Sequence, residues 1–150
     1  MTDDQESSTD SSELSPTVLE WVVDNIPVPT LITSGPALDD DQFGINEIMY
    51  VNEAWTRMTG YDAEEVIGDT PGILQGPKTE QQVLDLLEER LEAGKDFVGE
   101  TINYRKNDEE YRVRWHVDSI RNEVGEVTHW VSIQEETTND PLSIGFGGNQ

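Results

Sequence analysis

The chain has 150 residues, no cysteine, and 32 Asp and Glu against 9 Lys and Arg, for a formal net charge of -23. That length holds one domain with tails rather than two, and the missing thiol excludes disulfides, thiolate metal sites and cysteine nucleophiles. So negative a chain is a poor partner for nucleic acid or anionic membranes, since phosphate contacts need Lys and Arg. The acids are spread along the chain instead of collecting in one tail, the pattern of a halophile-type protein with an acidic surface. No apolar run nears the ~20 residues of a membrane span, and no signal-peptide pattern is present. A cytoplasmic protein is expected.

Residues 1–14 are almost wholly Ser, Thr, Asp and Glu and read as a disordered acidic tail. Ser15-Pro16 reads as an N-cap with proline in the first helical position, and Val18, Leu19, Val22 and Val23 recur at helical spacing. This predicts an amphipathic helix ending near Asn25, where Pro27 and Pro29 turn the chain extended. Leu31 to Thr33 is a first strand, Ser34 to Gly44 a polar loop, and Ile45 to Val51 a second strand. Asn52 caps a short helix over Glu53 to Thr59, which Gly60 closes. Asp62 with Glu65 has the spacing of a capping box for another short helix reaching Ile67.

Gly68 to Thr79 follows, a segment dense in glycine and proline that cannot stay regular, yet it carries Ile73 and Leu74, which favour burial. A bent, partly buried wall of a ligand pocket or sensor core is the reading. Thr79 with Gln82 forms another capping box, and Val83, Leu84, Leu87 and Leu91 make one apolar stripe along a helix that Gly94 ends. Three strands come last: Phe97 to Lys106, Tyr111 to Ile120 and Val127 to Gln134. The second alternates Tyr111, Val113, Trp115 and Val117 against Arg112, Arg114, His116 and Asp118, so one face is buried and the other wet. Short connections make these strands an antiparallel meander. The class is α+β, with helices covering one face of the sheet. The domain spans 15–138, and 139–150 reads as a linker or tail.

On strands of period two, Thr101 and Asn103 share a face, as do Val113 and Trp115, and likewise Trp130, Ser132 and Gln134. If those faces line one interior, a few polar groups sit among apolar walls, as in ligand sites generally. Trp115 and Trp130 are large enough to fill that space as core, leaving room for a small aromatic ligand or for nothing. The amides of Asn103, Gln134 and Gln75 serve equally as buried groups bonded to backbone or as ligand contacts. His116 and His129 fall out of phase with the pocket face, and two histidines without cysteine or spaced carboxylates make no transition-metal site. Asp39-Asp40-Asp41 lacks the spacing and glycine of a calcium loop. Arg112 and Arg114 answer acidic neighbours. No nucleophile–base pair, phosphate-cradling loop or paired carboxylates appear, so no catalytic residue, metal or haem is expected and the chain reads as a non-enzyme.

From about Trp21 to Thr138 the chain resembles a PAS sensor domain. The resemblance rests on Tyr50-Val51-Asn52-Glu53-Ala54-Trp55, Thr59-Gly60-Tyr61, Val66-Ile67-Gly68, Leu74-Gln75-Gly76, Tyr104-Arg105-Lys106-Asn107-Asp108 and Gly125-Glu126-Val127 in this order. It implies a five-stranded antiparallel sheet whose helical cradle encloses a pocket, used to sense ligands, light or redox state and to signal to partners. The central stretch is similar to that of the flavin-binding, LOV-like light sensors within the family, whose motif reads G-x-N-C-R-F-L-Q. Aligned on Gly68, Leu74 and Gln75, the adduct-forming cysteine falls on Pro71, the Asn on Thr70, the Arg on Gly72 and the Phe on Ile73. Cysteinyl adduct photochemistry is thereby excluded, while Gln75, Asn103 and Gln134 retain polar positions that hold the flavin ring in those relatives; a fourth such position is Val113.

The pocket implied is Leu74, Gln75, Thr101, Asn103, Val113, Trp115, Trp130, Ser132 and Gln134. The reading is a sensory module that receives a small-molecule or redox cue and passes it to a partner such as a histidine kinase or transducer. Two alternatives stand beside it: a flavin-binding photoreceptor working without a cysteine adduct, and a ligand-free interaction or dimerisation module. The N-terminal helix could pair with itself in a homodimer.

Overall fold

The computed structural model describes residues 14–38 and 46–137. The readings of 1–13 as a tail, of Asp39 to Asp41 as part of a loop, and of 139–150 as a linker lie outside these residues.

Helix α1 (Pro16–Asn25) starts as its sequence dictates, with the Ser15 hydroxyl accepting from the Val18 N–H at 3.2 Å and Pro16 in the first turn. Strand β1 (Thr30–Ser34) follows, then a single 3-10 turn at Pro36–Leu38 and strand β2 (Ile48–Val51). β2 begins three residues later than the predicted Ile45, because Asn46 takes a left-handed φ of 67° that no strand accommodates. Helices α2 (Glu53–Thr59) and α3 (Ala63–Val66), a 3-10 turn at Pro71–Leu74, and α4 (Gln81–Glu92) come before β3 (Phe97–Tyr104), β4 (Glu110–Arg121) and β5 (Val127–Thr137). Gly60 closes α2 at φ 83°, and the Glu65 carboxylate accepts from the Asp62 N–H at 2.8 Å at the start of α3.

The five strands form one antiparallel sheet in the order β2-β1-β5-β4-β3. β5 is therefore central, and it runs three residues beyond the predicted Gln134 because Glu135, Glu136 and Thr137 pair in register with Arg114, Val113 and Arg112. One face of the sheet meets the helices. Trp55, Ile48, Val66 and Val113 are almost wholly buried there, and Phe97 meets Trp115 edge-on with ring centroids 5.8 Å apart. The other face carries the ion pairs of Arg114 with Glu100 and Glu135 at 3.3 and 4.0 Å, and of Arg112 with Glu100 at 3.7 Å.

Asn52 is the junction of the N-terminal half. Its Oδ1 accepts from the Thr30 and Trp55 N–H groups at 2.9 and 3.0 Å, and its Nδ2 donates to the Val23 and Val28 carbonyls at 2.8 and 2.9 Å. A fully buried amide needs all its bonds satisfied, and here the same four bonds hold α1, β1 and α2 in one arrangement. The remainder of α1 is loosely held: none of its residues is buried, and Val18, Leu19 and Trp21 remain exposed. No described helix is long and apolar enough to cross a membrane.

Candidate functional site

The segment between α3 and α4 forms a roof over the helix-side face of the sheet. Thr70 caps the 3-10 turn by accepting from the Gly72 N–H at 3.3 Å, and Leu74 is buried beneath it. Beyond the turn the chain is stitched to β3. The Thr79 hydroxyl accepts from the Gly76 N–H at 2.9 Å and donates to the Ile102 carbonyl at 2.6 Å, while the Lys78 N–H donates to the Tyr104 hydroxyl at 3.0 Å. Gly76 is required for this approach, since a Cβ there would lie 2.3 Å from the Tyr104 ring.

The predicted capping box of Thr79 with Gln82 does not form. Thr79 is committed to β3, and α4 begins two residues later with Glu80 at its cap. The Glu80 N–H instead donates to the Thr101 hydroxyl at 2.9 Å. Thr101 is thus buried on the expected face but anchors α4 and does not line the cavity below.

Between roof and sheet lies a cavity of about 400 Å³, within the range of small-molecule sites. Its floor includes Val113, Trp115, Trp130, Ser132 and Gln134, with Asn103 at the β3 side; Leu74 and Gln75 come from the roof. Eight of the nine residues expected for a pocket therefore share one hollow, with Thr101 outside it. Gln75 is exposed at the rim, whereas Ser132 and Gln134 are each only 5% exposed. Sequence reasoning left out of the site one whole wall, the Leu84, Leu87 and Leu91 stripe of α4, while Pro71 and Gly72 line it within the Gly68 to Thr79 segment expected as a wall of a pocket or sensor core. The signal was present in the apolar stripe of α4, whose Leu87 and Leu91 pack against the core of the sheet.

Gln134 is the informative side chain. Pairing in register sets it opposite Trp115 in the sheet, and its Nε2 donates to the Ser132 hydroxyl at 3.0 Å. Its Oε1 is buried and has no hydrogen-bond partner among the described residues. An unmade bond at a buried carbonyl costs about 1–3 kcal/mol, so this oxygen, on a cavity-lining residue, is set to accept from a donor on a ligand or a water. The residues that line the cavity include no acid, base or thiol.

Elsewhere, Asp96, His116 and Asp118 bring their ligating atoms within 4.8 Å of one another on the outer face. Asp96 is already bonded to His116 at 3.0 Å and ion-paired with Arg90 at 3.6 Å, so the group is a polar surface cluster.

A family model described as PAS domain matches residues 26–139, and the chain belongs to the PAS domain family. A blue-light-activated histidine kinase of Brucella anthropi is 37% identical over 116 residues, 77% of this chain and 22% of that protein. Its counterpart from Brucella canis is 34% identical over 111 residues, covering 74% of this chain and 22% of the kinase. The chain thus spans 22% of the length of these curated relatives. Among solved structures, one described as "Flavin Analogue Sheds Light on Light-Oxygen-Voltage Domain Mechanism" aligns with a TM-score of 0.70 and 25% identity, over 83% of this chain and 84% of the other. The fold also matches "Structure of an RNA-binding Light-Oxygen-Voltage Receptor", with a TM-score of 0.73 and 22% identity over 91% of this chain and 36% of that one. The protein is a sensory, signal-transducing PAS module of the LOV-like kind.

Proposed function

We propose that the module receives a small, uncharged cue in the cavity beneath α4 and passes the change to a signalling partner, a histidine kinase or transducer. The chain itself acts as receiver rather than enzyme. The observation that carries this reading is the unpartnered Gln134 oxygen on the wall of a 400 Å³ hollow otherwise lined mainly by apolar side chains. A ligand N–H bonded to that oxygen would relieve the buried vacancy, and the same ligand would fill the space under Leu84, Leu87 and Leu91. Because β5 carries Gln134 and lies at the centre of the sheet, a shift there reaches both neighbouring strands. A ligand that binds one arrangement of α4 and β5 better than another moves the population between them.

A second reading, favoured by the likeness to blue-light-activated kinases, makes the cue light absorbed by a flavin. The residues suit the ring: Trp115, Trp130 and Val113 offer apolar surface, and Asn103, Gln134 and Gln75 offer amides for its polar edge. A bound flavin would supply blue-light absorption and redox chemistry. A cysteinyl adduct has no place here, since Pro71 lines the cavity where the relatives' motif sets cysteine and the chain holds no thiol.

Purified protein kept in high salt should be tested by absorption spectroscopy and native mass spectrometry. Flavin released on denaturation supports the second reading, and colourless protein without flavin removes it. Absence of any co-purified molecule, with no thermal shift across a ligand library, would sink the first as well and leave a module for protein interaction.

A further inference from the structure

Granting that the cavity holds a planar ring, we infer that it selects rings without a phosphate, taking riboflavin in preference to flavin mononucleotide. The chain has nine Lys and Arg, and all nine lie among the described residues. Seven are committed to acids: Arg57 to Glu53, Lys78 to Glu110, Arg90 to Asp96, Arg105 to Glu136, Lys106 to Glu65, and Arg112 and Arg114 to Glu100. Arg121 donates to the Gly94 and Gly125 carbonyls, and Lys95 is exposed past the end of α4. None of the nine lines the cavity.

A phosphate among the lining residues would therefore meet no counter-charge. It would also enter the field of a chain whose formal net charge is -23, and long-range repulsion of that kind slows and weakens capture of an anion. An uncharged ring escapes both penalties. Its polar edge needs only the amides already present, and its apolar body meets Trp115 and Trp130.

Gly72 gives a way to test this. It lines the cavity, and a Cβ added there would meet only the Thr70 hydroxyl, at 3.3 Å. A longer side chain at this position has room to project at the rim.

The experiment titrates the full chain with riboflavin and with flavin mononucleotide, read by flavin fluorescence anisotropy, at the lowest salt that keeps it folded and again in concentrated salt. Riboflavin should bind about tenfold or more tightly than its phosphate at low salt, a gap that narrows as the Debye length falls from about 10 Å at 0.1 M to about 3 Å at 1 M. Gly72→Arg should tighten the phosphate form severalfold while leaving riboflavin unchanged, and Gly72→Gln should do neither. If Gly72→Arg fails to fold, the wild-type comparison alone decides. Equal or tighter binding of flavin mononucleotide at low salt overturns the inference and leaves the ring-binding reading standing. Failure of both flavins to bind overturns the two together.

Discussion

Two helices cover the same sheet in opposite ways. α2 has seven residues, four of them buried, and its first turn is capped by Asn52. α4 has twelve residues and buries none completely. The short helix plugs the fold: Trp55 is wholly enclosed between the sheet and its own turn. The long one spans a hollow, held at its start by Thr101, along its length by partial contact of Val83, Leu87 and Leu91 with the core, and near its end by Arg90 on Asp96. Length is thus no guide to which helix stabilises the domain. Stability tracks buried apolar area, and the helix with less of it is the one free to respond to what lies beneath.

The sharpest way to break this contrast is Trp55→Ala. It removes the largest fully buried side chain and should cost about 3–5 kcal/mol, measured by denaturant unfolding; a loss similar to that of an exposed residue would show that α2 is not the plug. Asn52→Ala should come next, at about 2–3 kcal/mol, since it strands buried backbone groups of β1 and α2. Leu87→Ala should cost only about 1–2 kcal/mol, below the usual range for a core leucine, because this side chain already borders a void. Hydrogen exchange sharpens the same comparison without mutation: α2 amides should exchange far more slowly than α4 amides, and a bound ring should slow α4 selectively.

One further effect appears only at alkaline pH. Burial, with Asp24 close by, pushes the Tyr50 phenol up to about 12, and burial does the same for Tyr111. An unfolded tyrosine ionises near 10. A raised phenol favours its neutral form in the fold, so the stability it lends is complete below pH about 10 and is lost as pH rises toward about 12. Ultraviolet titration of phenolate should find both groups late, and Tyr50→Phe and Tyr111→Phe should each delete one late step.

The same contrast explains how much could be read from the chain. Where local chemistry and tertiary packing agree, the reading held: Ser15, Asn52 and Gly60 sit where capping rules put them, and the alternation of β4 separates buried Trp115 from ion-paired Arg114. Where a side chain had two candidate partners, local spacing misled. Thr79 satisfies a capping pattern with Gln82, but the Ile102 carbonyl, distant in sequence, takes its hydroxyl. Thr101 faces inward as its period requires, but the Glu80 N–H claims it. The cavity's third wall is visible as a stripe yet forms no part of the expected pocket, because periodicity reports which face is apolar and not whether that face touches anything.

The roof has one more consequence. It fastens to both outermost strands: the Ile48 N–H and carbonyl of β2 bond to the Asp69 carbonyl and Gly68 N–H at 2.7 and 2.8 Å, and the Ile102 carbonyl of β3 is taken by Thr79. Outer strands with open backbone groups invite a second molecule to add its own strand. In dilute buffer a chain this acidic keeps its copies apart by repulsion, but concentrated salt removes that protection. Fastening the margins at Ile48 and Ile102 leaves fewer places at which a neighbour could zip on, and these bonds persist when the charges are masked.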